Sequence, residues 1–76
     1  MDGERIARFW ALERVGERES TIACDLFTTS AGLEVRCHKG TTVLRAQRVA
    51  SRTDAMNLCA AWKAAYRAEG WNEPAE

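Results

Sequence analysis

TIACDLFTTSAGLEVRC, residues 21–37, alternates apolar and polar side chains on both sides of a central turn. Successive side chains of a strand point to opposite faces, so this alternation predicts two strands that each bury one side. A four-residue loop at 29–32, with Gly32 in the left-handed conformation, joins them as a hairpin. A one-residue slip would turn the apolar side chains outward. The predicted register pairs Thr28 with Leu33, Leu26 with Val35 and Cys24 with Cys37 on the core side, and Asp25 with Arg36 on the other side.

A third strand is predicted over residues 42–49, TVLRAQRV, which follow a glycine turn. The pattern leaves open which side of this strand faces the core. A plain two-residue turn directs Leu44 and Ala46 inward, whereas a bulge at the turn glycine directs Val43 and Val49 inward.

Residues 7–14, ARFWALER, are compatible with a strand or a short helix. The neighbouring aromatic residues Phe9 and Trp10 favour the strand, because aromatic side chains are enriched in strands. We therefore expect a fourth strand at the start of the chain.

The helix is predicted over residues 51–71, SRTDAMNLCAAWKAAYRAEGW. Ser51 with Asp54 three positions later is a capping arrangement that starts a helix. Gly70 can take the left-handed conformation that ends one, and Trp71 then folds back onto the helix. The apolar face at helical spacing consists of Ala55, Leu58, Cys59, Trp62, Ala65 and Tyr66.

These patterns predict a single α+β domain over residues 1–76. It is an antiparallel meander of three to four strands followed by one C-terminal helix packed across one sheet face. Order is expected over about 5–71, with a flexible tail at 72–76. The predicted core consists of Ile22, Cys24, Leu26, Leu33, Val35, Cys37, Leu58, Cys59, Trp62 and Tyr66.

The chain has 76 residues, which suffices for one domain with a small core. Domains of this size often need a disulfide, a metal or a second subunit for stability. Eleven basic and eleven acidic residues cancel, so no overall field attracts nucleic acid or an anionic membrane. The opening MDGERIARFW has no signal-peptide run and no stretch could span a bilayer, so we expect a cytoplasmic protein without a membrane partner.

VRCHKG, residues 35–40, places Cys37 beside His38, the one histidine of the chain. In a strand the two side chains point to opposite faces, so they cannot bind one metal together. Cys24, Cys37 and Cys59 could gather three thiols in the core, but a fourth ligand and metal-hairpin spacing are lacking. We predict no metal and no cofactor.

Three cysteines, an odd number, are expected to be reduced thiols in the cytosol, although a Cys24–Cys37 disulfide is geometrically possible. A buried thiol that lacks exposure and a nearby positive charge is a poor nucleophile. His38 could act as a base only on the outer side, with Asp25 of the neighbouring strand as its orienting partner. No catalytic residue is predicted, and the chain is expected not to be an enzyme.

The sheet face away from the helix is the surface that bears most on function. Phe9 and Trp10 are consecutive in the first strand, so one of the two must point outward. There it would join arginines of the other strands. The candidate interaction face consists of Phe9, Trp10, Phe27, Arg36, His38 and Arg45.

Two uses fit this face. Self-association, sheet face to sheet face or edge to edge, would add buried surface and cover edge strands, which predicts a homodimer or a complex with another protein. The alternative is single-stranded nucleic acid, with Phe27 and an N-terminal aromatic residue stacking on bases and Arg36, Arg45 or Lys39 contacting phosphates. The neutral net charge and the acidic residues on the same face favour the first use.

The layout also resembles a group of short bacterial ββββα proteins of unknown function. The resemblance rests on the G-x-E-V strand with Gly32, Glu34 and Val35, an arginine-bearing strand, and the helix pattern from Ala55 to Trp71. It implies an architecture and no activity. The ending is also similar to the C-terminal part of WGR domains, which are linked to nucleic-acid binding, although the Trp-Gly-Arg triplet is absent from this chain.

Overall fold

The computed structural model describes residues 3–14 and 21–73. They form a four-stranded antiparallel sheet in the order β1-β2-β3-β4, followed by one helix that contacts the sheet. The α+β fold predicted from the sequence is thereby confirmed. The elements are β1 Glu4–Glu13, β2 Thr21–Thr29, β3 Gly32–Lys39, β4 Thr42–Val49 and α1 Arg52–Ala68.

The β2–β3 hairpin has the predicted register. Cys24 faces Cys37, and Asp25 faces Arg36 on the other side of the sheet. Gly32 has a φ of +117°, a backbone conformation that L side chains rarely adopt. The alternating pattern therefore assigns the two sides of this hairpin correctly. We call the side of Cys24 and Cys37 the helix face, and the side of Asp25 and Arg36 the outer face.

β1 pairs with β2 and is a strand, as the aromatic residues indicated. Two irregularities interrupt its register, one between Arg5 and Ala7 and one between Arg8 and Trp10. Because of the first of these bulges, Arg5 and Arg8 are both opposite outer-face positions of β2 although they are three residues apart. Trp10 is opposite Cys24 and so joins the helix face.

β4 has its bulge within the strand, opposite the step from Cys37 to His38, and not at the turn glycine. Arg45 is opposite Cys37 and Val49 is opposite Leu33, which places both on the helix face. Val49 therefore points inward, as in the predicted alternative with a bulge. Three further positions of β4 are on the outer face, namely Val43 opposite His38, Ala46 opposite Arg36 and Arg48 opposite Glu34.

The helix begins and ends where its capping signals indicated. The Ser51 side chain accepts a hydrogen bond from the Asp54 amide at 3.1 Å. Gly70 has a φ of +100°, and the Trp71 amide donates to the Tyr66 carbonyl at 3.1 Å. The chain then turns back, so that the buried Trp71 ring closes one end of the core.

Backbone and side-chain contacts continue beyond residue 71, where the ordered chain was predicted to end. Asn72 and Glu13 exchange two backbone hydrogen bonds of 2.7 and 2.8 Å, and Glu73 pairs with Lys63. Residues 74–76 of the predicted tail lie outside the described residues.

The core lies between the helix face and α1. Most of the predicted core residues are buried, but Leu33, Leu58 and Trp62 are only half-buried at its margin. The indole Nε1–H of Trp10 donates to the Cys59 carbonyl at 2.9 Å, and its ring packs against Tyr66. The full set of buried core residues is Trp10, Leu12, Ile22, Cys24, Leu26, Val35, Cys37, Ala55, Cys59, Tyr66 and Trp71.

Within residues 3–14 and 21–73, no helix has the length and apolar character needed to cross a membrane.

Candidate functional site

Asp25 is a buried carboxylate on the outer face, the side of the sheet away from α1. Its side chain is only 1% exposed because longer side chains from both neighbouring strands cover it. Arg8 of β1 donates from Nε to Oδ1 at 2.8 Å and from Nη2 to Oδ2 at 3.3 Å. Arg5 is further away, with 3.9 Å between Nη1 and Oδ2.

The pKa of Asp25 reflects two opposing influences. Burial raises the pKa of this carboxyl, whereas the hydrogen bonds and charges of Arg8 and His38 lower it. The second influence is larger, so the pKa of Asp25 lies below its ordinary value. The buried group is therefore an ionised carboxylate at neutral pH.

His38 lies beside Asp25, as the hairpin register predicted. Its Nε2 is 2.6 Å from Asp25 Oδ2, and its Nδ1 is 3.3 Å from the Gly40 carbonyl oxygen. Both partners are acceptors, so the ring donates to both only when both nitrogens carry protons. The contact between His38 and Asp25 thus joins β2 to the end of β3.

Phe27 is not an open stacking platform. The Arg36 guanidinium lies over its ring, with 4.4 Å between the guanidinium carbon and the ring centroid. Arg36 is also paired with Glu34 through Nε and Oε1. A base could stack on Phe27 only after displacing this arginine, which is held by its own carboxylate.

Only part of the predicted interaction face lies on one side of the sheet. Phe27, Arg36 and His38 lie together on the outer face, opposite Glu34, Asp25 and Ala23 respectively. The prediction that Trp10 belongs to this face is wrong, because the bulges of β1 turn Trp10 to the helix face, where it is buried. The three predicted members that the structure assigns elsewhere are Phe9, which packs half-buried against the core, Trp10, and Arg45.

Arg45 is wrong as an outer-face residue for a similar reason. The bulge in β4 turns it to the helix face, where its guanidinium lies 5.1 Å from the Tyr66 ring and 5.9 Å from the Trp62 ring. Sequence reasoning missed Arg5 and Arg8 as outer-face residues, because simple alternation puts residues three apart on opposite faces. Only the first bulge of β1 brings them together.

The edge of β4 is the second surface of interest. Every residue of this strand is exposed except Val49, which is half-buried. Val43 is 53% exposed and Leu44 is 43% exposed. Within the described residues β4 pairs with β3 alone, so its other side presents unpaired backbone groups.

Three thiols meet in the core, as the alternation suggested. The sulfur atoms of Cys24 and Cys59 are 3.0 Å apart, and all three cysteines are free and buried. The pKa of Cys37 is lowered by a hydrogen bond from Cys24 and by the Arg45 charge, while burial raises the pKa of Cys59. The expectation that no positive charge lies near a core thiol is therefore wrong for Cys37.

Comparison with known proteins adds no identity to this geometry. No family model, curated protein or solved structure matches this chain. Among residues 3–14 and 21–73, no group of three or more His, Cys, Asp or Glu side chains could hold a metal ion. The features of the molecule that bear on function are therefore the outer face, the β4 edge and the thiols.

The chemistry open to these three features differs. The outer face carries Arg5, Arg8, Arg36 and Arg48 against Asp25 and Glu34, so it is a charged surface crossed by ion pairs. The β4 edge offers backbone hydrogen bonds together with exposed aliphatic side chains. The thiols can exchange protons and electrons, but they are shielded from solvent.

Proposed function

We propose that this chain is a small protein-interaction module that associates with a second copy of itself through the edge of β4. The observation that carries the proposal is the exposure of β4, whose residues other than Val49 are open to solvent on both faces of the sheet. A long unpaired edge with exposed aliphatic residues is a template for another strand. A second copy supplies a strand of the same length.

The charges of β4 disfavour some pairing registers of two antiparallel copies. A two-fold axis at Ala46 places Arg45 of one copy opposite Gln47 of the other, whereas an axis at Arg45 or Arg48 places two arginines in direct opposition. Like charges directly opposite each other destabilise a strand pair. Registers that avoid this opposition, which include those centred on Leu44, Ala46 and Gln47, are therefore the ones we expect.

Edge pairing suits this molecule better than face-to-face packing. The outer face contains ion pairs around Asp25 and Glu34 that a dry interface would desolvate. Edge pairing instead satisfies backbone groups and leaves those ion pairs in place. It also adds buried surface to a 76-residue chain, whose own core is small.

The proposal is of a non-enzymatic, cytoplasmic protein. His38 is in contact with Asp25, but the carboxylate that would orient it is also occupied by Arg8. The three free cysteines are consistent with a reducing compartment.

Light scattering coupled to size exclusion, at high micromolar protein and with a reductant present, tests the association. The wild type is expected at twice the mass of the chain. Leu44→Lys adds a charge to the β4 edge and is expected at the mass of one chain, because a lysine on an edge strand opposes pairing. Met56→Lys is the matched control, since Met56 is 60% exposed on α1 and this variant should stay dimeric.

A wild-type monomer at these concentrations would contradict the proposal. A dimer that Met56→Lys disrupts and Leu44→Lys leaves intact would place the interface on the helix and contradict the β4 edge. Circular dichroism of both variants checks that each is folded.

Single-stranded nucleic acid is the second candidate, favoured by the four arginines on the outer face. It is weaker because Arg8 and Arg36 already pair with carboxylates and Arg36 covers Phe27. Titrating a labelled single strand at two salt concentrations tests it. Phosphate contacts are strongest at low salt, so absence of binding there removes this candidate.

A further inference from the structure

The sulfur atoms of Cys24 and Cys59 join two distant parts of the fold. Cys24 lies in the middle of β2 and Cys59 in the middle of α1, 35 residues apart, and their Sγ atoms are separated by 3.0 Å. A disulfide bond is about 2.0 Å long, so an approach of about 1 Å would bring the two sulfurs to bonding distance. Both side chains are buried, at 0% and 2% exposure.

We propose that Cys24 and Cys59 form a dithiol site that small peroxides oxidise to an intramolecular disulfide between β2 and α1. The site takes a two-electron oxidant of the peroxide class. It is independent of the β4 edge, because both cysteines lie in the core of a single copy.

The chemistry proceeds in two balanced steps. A thiolate of the pair attacks the peroxide, the O–O bond breaks, and the sulfur becomes a sulfenic acid while one water is released. The second thiol then attacks that sulfur, forms the S–S bond and displaces the hydroxyl group as a second water. Overall, two thiols and one hydrogen peroxide give one disulfide and two waters.

The fold controls when this reaction occurs. A hydrogen bond to Cys37 and burial raise the pKa of Cys24, and burial raises the pKa of Cys59. Both thiols are shielded from solvent while α1 covers the sheet. Reaction therefore follows a local opening of α1. Reclosure of the helix returns Cys59 to Cys24 and directs the second step.

Cys37 is the competing partner for Cys24. It is directly opposite Cys24 in the sheet, but the ladder of β2 and β3 fixes both backbones. α1 is held to the sheet by side-chain packing and by the hydrogen bond from Trp10 to the Cys59 carbonyl, and not by a ladder of backbone hydrogen bonds. It can therefore shift by the required distance more readily than one strand can move against its neighbour. The fold therefore favours Cys59, whereas an unfolded chain would favour Cys37, since the shorter loop costs less entropy to close.

Peptide mapping tests this choice, because trypsin separates the three cysteines. Cleavage after arginine and lysine leaves Cys24 in residues 19–36, Cys37 in residues 37–39 and Cys59 in residues 53–63. The native wild type is treated with hydrogen peroxide at low micromolar concentration, alkylated and digested without reductant. The expected product is a linked 19–36/53–63 peptide that disappears on reduction.

Two comparisons sharpen the result. Cys37→Ala is expected to give the same linked peptide at wild-type yield. The wild-type chain oxidised in 8 M urea, on the order of the concentration that unfolds small domains, is expected to give mainly the 19–36/37–39 link. Since the native wild type decides the outcome by itself, a variant that fails to fold does not affect it.

A native sample that yields mainly the 19–36/37–39 link, links between chains, or sulfinic acid without any link would overturn the proposal. So would a native pattern identical to that of the unfolded chain. A native 19–36/53–63 link that the unfolded chain does not favour supports it.

Discussion

Asp25 shows how a single residue depends on neighbours that the sequence does not put beside it. The alternating pattern correctly puts Asp25 opposite Arg36 and one position from His38. It does not show that Arg8 makes two hydrogen bonds to this carboxylate, because that contact requires the bulge between Arg8 and Trp10. Arg36, the predicted partner, pairs with Glu34 and covers Phe27 instead.

Replacing this carboxylate should change stability in a pH-dependent way. In the folded protein the pKa of Asp25 lies below its ordinary value of 3.8, so the ionised form of this carboxyl stabilises the fold. That stabilisation is complete above about pH 4 and is lost as pH falls through the lower folded pKa. Asp25→Asn is expected to lower the free energy of unfolding by about 2 kcal/mol at pH 7.

Urea unfolding at pH 7 and at successively lower pH measures this difference. The gap between wild type and Asp25→Asn should narrow below about pH 4. Glu4→Gln is the control, since Glu4 is an exposed acid at the start of β1, and it should change stability little at any pH. A gap that stays constant down to the acid limit would show that the charge of Asp25 contributes nothing.

Among the helix and the strands, the features that depend on nearby residues were predicted correctly, whereas the bulges in the strands were not. The helix ends are recognisable because Ser51 and Gly70 act on backbone groups a few residues away. The β2–β3 hairpin is recognisable because its apolar alternation is unbroken. The bulges in β1 and β4 leave no comparable signal, and they decide that Trp10 and Arg45 face the helix.

The helix start offers a matched test of a local signal. Ser51→Ala removes the side-chain oxygen that accepts from the Asp54 amide, and loss of such a cap costs about 1 kcal/mol of unfolding free energy. Thr53→Ala removes a hydroxyl from the exposed first turn, where alanine is the better helix former, so it should be neutral or slightly stabilising. Thermal unfolding of both variants measures the contrast, and equal losses would argue against the cap.

At the scale of the whole molecule, contacts between the ends of the chain close the fold. Trp10 of β1 donates to the Cys59 carbonyl in α1, 49 residues away, and Glu13 pairs with Asn72. Trp71 is buried beyond the helix, and Arg14 lies over its ring. Such contacts cannot be read from periodicity, because they depend on how the first strand and the last turn meet in space. Once the bulge in β1 turns Trp10 to the helix face, its hydrogen bond to Cys59 holds it in the core.

Trp10→Phe tests the contact between β1 and α1. The substitution removes a buried indole hydrogen bond and part of a buried ring, and we expect it to lower the free energy of unfolding by about 2 kcal/mol. Trp62→Phe is the matched control, because Trp62 is half-buried at the margin of the core, and it should cost less than about 1 kcal/mol. Urea unfolding at one protein concentration compares the two. Equal losses of unfolding free energy would mean that the Trp10 hydrogen bond adds nothing beyond packing. A larger loss for Trp10→Phe with an unchanged m-value would show that the contact between β1 and α1 stabilises the domain, which still unfolds as one cooperative unit.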